Sequence, residues 1–391
     1  MEKFKKLSKA FYINGGAGRV VCAIPALEKY ADLNRDIDDD FIIVSESWQE
    51  LFNGSRELRK RVYSLDHKDL FKDKLKDKEI VSPEPYRLNA YFNQKCNLVQ
   101  AFDILINDLD HIPTGVESKV PALELNKVEQ ITGHNVINEV RQVTGKDKVV
   151  VFQPFGQSVQ VEGKFIFDTS GRSFELTNVV EVIEALKKDY GVVIMSQVEI
   201  PSWQEMGVAM PTNMNLMQWA GVINAADYFL GCDSVGQHLA VGVSKQATVV
   251  LGSTYPENIS YLDVPALKIV DVGKTKRDYS PIRLTMDSVI DRQNEDMMIL
   301  SPTEVRTVIK TIKDAIGVSK PVAAPPNQVS QDNRPKIPKI TKSGQSITKK
   351  LLTPPKPVAG FNKPTINKVA KKKPIDELVE LELNKTEESS S

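Results

Sequence analysis

The chain has 391 residues, of which 41% are hydrophobic and 26% charged, so it is long enough for two domains and has the composition of a soluble globular protein. Its three cysteines and four histidines show neither disulfide nor metal-ligand spacing. No run of about 18 apolar residues is present, as a membrane span requires, and the start does not resemble a signal peptide. We therefore expect a cytoplasmic protein without a metal or a cofactor.

The net charge of zero hides segments of opposite sign. Residues 320–374 carry 13 Lys and Arg against one acid, whereas residues 375–391 carry six acids against Lys385. From residue 319 onward prolines and lysines dominate, and such a composition buries too little apolar surface to order the chain. We predict a disordered Pro/Lys-rich tail over 319–391, whose expected partners are an anionic surface or another protein.

Before residue 319, short apolar runs alternate with helical patterns, as in βαβ units. In chain order the patterns of the first half predict strand 11–13, a glycine-rich turn at 15–18 with a helix to 27, strand 41–44, a helix near 98–105 and a polar junction at 110–147, within which 134–143 has a helical pattern. Those of the second half predict strand 148–152, a helix from 177 to near 191, strand 192–195, helix 215–225, strand 228–232, a helix from 234, strand 247–251 and helix 301–316. Thr177 is expected to cap its helix, and Ser301 with Glu304 forms a capping box. We predict two α/β domains with parallel sheets, over 1–145 and 146–318.

One segment of the second domain carries the clearest functional signal. Residues 233–238 (DSVGQH) follow a predicted strand and open a helix with small residues. A helix start presents unpaired N–H groups and a positive dipole end, and the carboxyl ends of parallel strands are where open α/β sheets hold ligands. Gly236 would let a ligand approach the backbone closely. From these residues alone, a simple helix cap at Asp233 or Ser234, with His238 packed in the helix, is an equally good interpretation.

The wider sequence resembles the heptosyltransferases, the ADP-heptose:lipopolysaccharide type of family 9 glycosyltransferases. In residues 214–251 a helix ending in Ala226-Asp227, an apolar strand, the DSVGQH motif and a further strand follow the order of that family's donor domain. Residues 18–27 are similar to its Gly-Asp-Val-x-x-x-x-Pro-Ala-Leu segment. The resemblance covers residues 11–316 in outline. It implies a GT-B fold of two facing Rossmann-like domains, with the final helix, 301–316, packing back across the junction.

The resemblance also implies where a nucleotide-diphospho-sugar binds. The donor-binding residues that it implies are Asp233, Ser234, Val235, Gly236, His238, Met214, Arg172, Glu199 and Ser158. Within this set, Ser234, Val235 and Gly236 would donate hydrogen bonds to the diphosphate, and Arg172 would neutralise it. Asp233 would orient sugar hydroxyls, Met214 would contact the nucleobase, and Glu199 would hold a ribose hydroxyl. A core methionine and a solvated surface arginine are the ordinary alternatives for Met214 and Arg172.

The acceptor side departs from the family pattern at a position that matters for the chemistry. The loop formed by Gly15, Gly16, Gly18 and Arg19 is expected to face the acceptor, and the family has an Asp where this chain has Arg19. That Asp is thought to deprotonate the acceptor hydroxyl, which a guanidinium cannot do at physiological pH. The catalytic residue is therefore unassigned, and our hypothesis is that Arg19 binds an anionic acceptor or the phosphates instead.

The sequence thus predicts an inverting, metal-independent glycosyltransferase that moves a sugar from a nucleotide-diphospho-sugar to an unknown saccharide, lipid-linked or protein acceptor. The alternative is a non-catalytic binding or assembly protein derived from such a transferase, which lost its base at Arg19. Acidic groups at Asp38–Asp40 and Asp108–Asp110 are more typical of solvated loops than of metal sites. A sugar-nucleotide epimerase would need paired carboxylates across the cleft, and the sequence identifies none.

Overall fold

The computed structural model describes residues 8–35, 40–115, 117, 119–162, 165–168, 170–200, 203–277 and 296–321. Two residues of the acidic group, Asp38 and Asp39, and the predicted tail beyond Pro321 lie outside the described residues. Within the described ranges, every helix is too short or too polar to cross a membrane.

The first part of the chain forms a parallel four-stranded sheet with helices against it. Its elements are β1 (Ser8–Ile13), α1 (Ala17–Leu33), β2 (Ile42–Ser45), β3 (Val62–Ser64), β4 (Lys78–Val81), α2 (Asn89–Phe92) and α3 (Leu98–Ile106). The strand order is β3-β2-β1-β4, with every pair parallel. Phe11 and Ile43 of the central strands are fully buried with α1 and α3 in one apolar core, as both faces of a parallel sheet require. The order of the strands reverses between β1 and β4.

The second part forms a parallel five-stranded sheet. Its elements are α4 (Lys127–Thr144), β5 (Val149–Gln153), β6 (Val159–Glu162), β7 (Phe165–Asp168), α5 (Leu176–Lys187), β8 (Gly191–Ile194), α6 (Leu216–Ala225), β9 (Tyr228–Cys232), α7 (Val235–Gly242), β10 (Ala247–Leu251), α8 (Pro256–Ile259), β11 (Leu267–Asp271) and α9 (Pro302–Ile316). The order is β11-β10-β9-β5-β8, so it reverses between β5 and β9. Strands β6 and β7 form a separate antiparallel hairpin after β5.

The two parallel sheets confirm the predicted fold class, and several local predictions are also confirmed. Helix α6 begins at the predicted place, after Asn215. Ser301 and Glu304 form the predicted capping box of α9, and β10 has the predicted bounds. The predicted start of α5 is wrong. Helix α5 begins at Leu176 after Glu175 rather than under a Thr177 cap, and no side chain caps it.

The final helix does not pack across the junction. The apolar face of α9, which includes Val305, Val308 and Ile312, is buried in a core formed by residues 150–312. Its neighbours are α5, β10 and β11, all of them elements of the second part. The strong 3.6-residue apolar stripe of this helix is therefore satisfied locally, and the implied position is wrong.

The polar junction predicted at 110–147 contains a long helix, α4, which Asn126 and Glu129 start with a capping box. This helix packs on α6 with the two backbones in contact. A Cβ atom on Gly133 would lie 2.1 Å from the carbonyl oxygen of Gly221, and a Cβ on Gly221 would lie 2.2 Å from that of Glu129. Because only glycine leaves room for this approach, the two glycines attach α4 to the second sheet.

The first residues of the segment predicted as a tail are ordered. Lys146 pairs with Pro321 in an antiparallel bridge, and the hydroxyl of Ser319 donates to Asp147 at 2.6 Å. The N–H of Lys148 donates to Ser319 Oγ at 3.1 Å. The chain thus returns to the amino end of β5 after α9, and the rest of the predicted tail lies outside the described residues.

Candidate functional site

A cavity of about 720 Å³ lies at the carboxyl ends of the strands of both sheets. The loops after β1 and β2 contribute to one wall, which we call the first wall. The loops after β5, β8, β9 and β10 form the opposite, second wall. The second wall includes the point where the strand order reverses, which is where open α/β sheets bind ligands.

The cavity brings together most of the residues singled out in the sequence. On the second wall the lining includes Asp233, Ser234, Val235, His238, Met214, Arg172 and Ser158, and on the first wall Gly15, Gly16, Gly18 and Arg19. Glu199 is a correction, because this exposed residue does not line the cavity and its carboxylate accepts a hydrogen bond from Trp203 Nε1 at 2.9 Å. Gly236 is a second correction, because it does not line the cavity.

Gln153, the last residue of β5, occupies the place that the sequence assigns to a ligand at Gly236. Its Oε1 accepts from the N–H of Gly236 at 2.9 Å, and its Nε2 donates to Ser234 Oγ at 3.1 Å. A Cβ atom on residue 236 would lie 2.2 Å from Gln153 Oε1. Glycine is therefore required here by a protein side chain rather than by a ligand, and its N–H is already bonded.

Two other groups at the start of α7 face the cavity. Ser234 is the N-cap residue with an extended backbone, and its side chain makes no capping bond. None of the hydrogen bonds found among the described residues uses the N–H of Val235, which also lines the cavity. The positive end of this helix is thus open to an anion through the Ser234 hydroxyl and the Val235 amide.

Asp233 is buried at the base of the second wall. Its Oδ1 accepts from Gln237 Nε2 at 3.0 Å, while its Oδ2 has no hydrogen-bond partner among the described residues. Burial raises the pKa of Asp233, and the positive charge of Arg172, with Nη1 3.8 Å from Oδ2, opposes that rise. The hydroxyl of Thr254, another lining residue, interacts with the Asp233 carboxyl group and also opposes the rise of its pKa.

Arg172 is fixed over the cavity rather than free on the surface. Its Nε donates to Ser170 Oγ at 3.0 Å and its Nη2 to Ser158 Oγ at 3.2 Å. Asp168 holds the loop that carries it, accepting from the N–H of Ser170 at 2.7 Å. The guanidinium keeps one edge towards Asp233 and the cavity, so it is placed to meet a phosphate.

His238 joins the two walls. Its Nδ1 lies 2.7 Å from the hydroxyl of Tyr261 and 3.4 Å from Cys22 Sγ. A Cβ atom on Gly18 would lie 2.8 Å from Cδ2 of the ring, so α1 begins directly against the imidazole. Burial lowers the pKa of His238 to about 3, and the ring is therefore neutral near pH 7 and adds no positive charge to the cavity.

The guanidinium of Arg19 is engaged within the first part of the chain. Its Nη2 donates to the carbonyl oxygen of Pro83 at 2.7 Å and to Glu84 Oε1 at 3.1 Å, and Nη1 donates to Glu84 Oε2 at 3.3 Å. It also lies over the ring of Tyr86. With its charge balanced and its side chain buried, Arg19 is poorly placed to bind an anionic ligand.

Sequence reasoning missed the contribution of the loop after β2. Trp48 lines the cavity and has a φ angle of 62°, in the left-handed region that bulky residues rarely adopt. Glu50 also lines the first wall, is partly exposed, and has no hydrogen bond or ion pair to any described residue. No group of three or more His, Cys, Asp and Glu side chains in the described ranges is arranged to hold a metal ion.

Neither a family model nor a curated protein matches the sequence, but solved structures do. A family 9 glycosyl transferase from Veillonella parvula is 10% identical over 80% of this chain and 98% of its own, with a TM-score of 0.54. The ADP-heptose LPS heptosyltransferase II of E. coli is 11% identical over 78% of this chain and 99% of its own, with a TM-score of 0.52. The iron-containing dodecameric glycosyltransferase TibC of enterotoxigenic E. coli is 12% identical over 80% and 81%, with a TM-score of 0.50. At such identity the similarity is one of fold: the chain has the GT-B fold of the heptosyltransferase-like family 9 glycosyltransferases.

Proposed function

We propose that the chain is a glycosyltransferase that takes a nucleotide-diphospho-sugar into the cavity and transfers its sugar to an acceptor. The observation that carries the proposal is the set of groups on the second wall. Arg172, the Ser234 hydroxyl and the Val235 amide are donors for a diphosphate, and the carboxylate of Asp233, which lines the cavity beside them, is an acceptor for sugar hydroxyls.

The reaction that suits this arrangement is an inverting displacement. The acceptor oxygen forms a bond to the anomeric carbon, and the bond from that carbon to the diphosphate breaks. The electron pair of the broken bond leaves with the nucleoside diphosphate, whose charge Arg172 and the start of α7 would stabilise. The neutral imidazole of His238 and the half-buried Met214 would complete the surface around sugar and base.

The displacement needs a base on the first wall, and we propose Glu50 for it. Arg19 cannot accept a proton, whereas Glu50 is a carboxylate that lines the cavity from that side without a partner among the described residues. The proton of the acceptor hydroxyl would pass to this carboxylate as the new bond forms. Trp48 next to it offers an aromatic face of the kind that packs against a sugar ring.

Nucleotide binding tests the donor site. We expect at least one of ADP, UDP and GDP to raise the melting temperature, because a ligand that binds the folded state stabilises it. Replacing Arg172 by Met should weaken that nucleotide about tenfold or more, since a charge-assisted hydrogen bond is lost. Arg141→Met is the matched control, because Arg141 pairs with Asp227 at 3.0 Å with similar exposure and is not a cavity residue.

If none of the three nucleotides stabilises the wild-type protein, or if both arginine variants weaken binding equally, the donor site is not where we place it. In either case the reaction proposed above would lose its basis.

Turnover separates the transferase from its alternative. A non-catalytic binding protein derived from a transferase is favoured by the ion pair of the buried Arg19 with the partly exposed Glu84, because Arg19 stands where the family that the sequence resembles has its base. The transferase should release nucleoside diphosphate from one of a panel of nucleotide-sugars, and Glu50→Gln should slow that release at least a hundredfold without changing nucleotide affinity. Glu79→Gln is the control, because Glu79 is exposed on β4 and outside the cavity. Nucleotide binding without release from any donor would support the alternative.

A further inference from the structure

Both ends of the Gln153 side-chain amide make hydrogen bonds at the start of α7. Once the atom in one of these bonds is identified as oxygen or nitrogen, the atom in the other is identified as well. The backbone N–H of Gly236 can only donate, so the side-chain atom 2.9 Å away must be the oxygen, Oε1. The other end of the amide, Nε2, then faces Ser234 Oγ at 3.1 Å. Because Nε2 can only donate, Ser234 must accept this hydrogen bond.

The consequence for Ser234 is that its single proton has to point elsewhere. A serine hydroxyl has one proton and two lone pairs, and here a lone pair is occupied by Gln153. The side chain makes no capping bond to the helix, and no other acceptor for the proton is found among the described residues. Since Ser234 lines the cavity, the open direction for the proton is into the cavity.

We propose that Gln153 is a positioning residue that holds the Ser234 hydroxyl as a hydrogen-bond donor to the phosphate of a bound nucleotide. The inference rests on the proposed function, because it concerns the same donor site. A freely rotating hydroxyl presents a proton or a lone pair, whereas this one presents its proton towards the ligand. A donor that is already oriented favours an unprotonated phosphate oxygen without reorganising when the ligand binds.

Glutamate at position 153 should reverse this orientation. Its carboxylate can still accept from the N–H of Gly236, which preserves the start of the helix, but its second oxygen can only accept from the Ser234 hydroxyl. The serine proton would then turn away from the cavity, and a negative charge would be added beside the phosphate site. Methionine at 153 is the neutral counterpart of similar length, which removes both hydrogen bonds.

A double-mutant cycle between positions 153 and 234 tests the coupling. The probe is whichever of ADP, UDP and GDP stabilises the wild-type protein most, with its unphosphorylated nucleoside as the comparison. We expect Ser234→Ala to weaken the diphosphate about tenfold, and Gln153→Met about fivefold. In the Ser234→Ala background, Gln153→Met should have no further effect, because no hydroxyl is left to orient. Nucleoside affinity should be the same in all four proteins.

The second substitution keeps the test decisive if methionine destabilises the fold. Gln153→Glu should lower the affinity for the diphosphate more than Gln153→Met does. In the Ser234→Ala background, Gln153→Glu should lower this affinity less than it does in the wild-type protein, because no hydroxyl is left to turn away. Independent, multiplying effects of positions 153 and 234, or a parallel loss of nucleoside affinity, would overturn the role of Gln153 while leaving the donor site intact. Failure of the wild-type protein to bind any of the three diphosphates would instead overturn the proposed function, and the phosphate role of Ser234 with it.

Discussion

The two sheets use the same topological position in opposite ways. In the first sheet the strand order reverses between β1 and β4, and the loops after these strands are joined by the ion pair of Arg19 and Glu84. In the second sheet it reverses between β5 and β9, and the neutral amide of Gln153 joins the loops. Both positions carry an arginine paired with a carboxylate, but the Arg19 side chain is 2% exposed, whereas Arg172 is 30% exposed and lines the cavity together with the Ser234 hydroxyl. A reversal of strand order therefore offers a site, and the exposure of the nearby polar groups to the cavity decides whether it is used.

The largest expected effect tests whether the ion pair of Arg19 and Glu84 serves to stabilise the fold. Arg19→Met leaves Glu84 next to the core without its cation, and we expect the free energy of unfolding to fall by about 3 kcal/mol. Nucleotide affinity should not change. Urea unfolding measures the first quantity, and Arg35→Met is the control, because Arg35 pairs with Asp32 on the surface and should cost less than about 1 kcal/mol. A loss of nucleotide affinity in Arg19→Met would show that Arg19 also contributes to the ligand site, and the contrast between the two reversals of strand order would fail.

The second prediction concerns His238, which lies between the walls. Its pKa is lowered by burial to about 3 in the folded state, whereas an imidazole in an unfolded chain has a pKa of about 6.5. Below pH 6.5 the unfolded state binds the proton that the folded state excludes, so the free energy of unfolding should fall by about 2 kcal/mol between pH 7 and pH 5. Urea unfolding of His238→Gln should lack this part of the pH dependence. His134→Gln, at an exposed position of α4, should keep it.

A smaller effect tests the contact between the walls directly. Gly18→Ala places a methyl group against the ring of His238, and we expect a loss of about 1 kcal/mol in the free energy of unfolding. In a His238→Ala background the same change should reverse sign and stabilise the protein by up to about 1 kcal/mol, because alanine is the better helix former in α1. Equal effects in both backgrounds would mean that the two walls do not meet at this contact.

The smallest effect concerns the geometry of the cation on the second wall. Arg172→Lys keeps the charge but cannot reproduce the hydrogen bonds to Ser158 and Ser170 that hold the guanidinium. We expect nucleoside diphosphate affinity to fall only about threefold, less than in Arg172→Met. Isothermal titration of the three proteins would order them. A lysine variant as weak as the methionine variant would mean that orientation matters more than charge.

The parts of the fold that the sequence predicts are those with a local cause. The apolar runs of β5, β8, β9 and β10 and the capping box at Ser301 depend on neighbouring residues, and all were predicted, whereas the capping box at Asn215 was not. Strands β3, β4 and β11 were missed because they are only partly buried and lack a continuous apolar run. The β6–β7 hairpin was missed as well, although its strands, 159–162 and 165–168, are rich in β-branched and aromatic residues.

The site divides in the same way. Asp233, Ser234 and Val235 form a continuous motif that signals a strand-to-helix turn, and they line the cavity as the sequence implies. Gln153 and Glu50 come from loops distant in sequence, and neither residue type announces its role. The glycine at position 236 also indicates that another group lies close to the backbone there, but the sequence does not tell whether that group belongs to a ligand or to a side chain.

The contact between α4 and α6 determines which parts of the chain move together. With the backbones at Gly133 and Gly221 touching, α4 cannot tilt or slide on α6 without steric overlap, so it travels with the second sheet as one rigid body. Just before it, the N–H of Leu123 bonds to a carbonyl of α7, while the N–H of Glu124 bonds to the carbonyl of Gly54. Two consecutive peptide groups thus bond to opposite parts of the molecule, so the segment just before α4 ties the two parts together through the backbone alone.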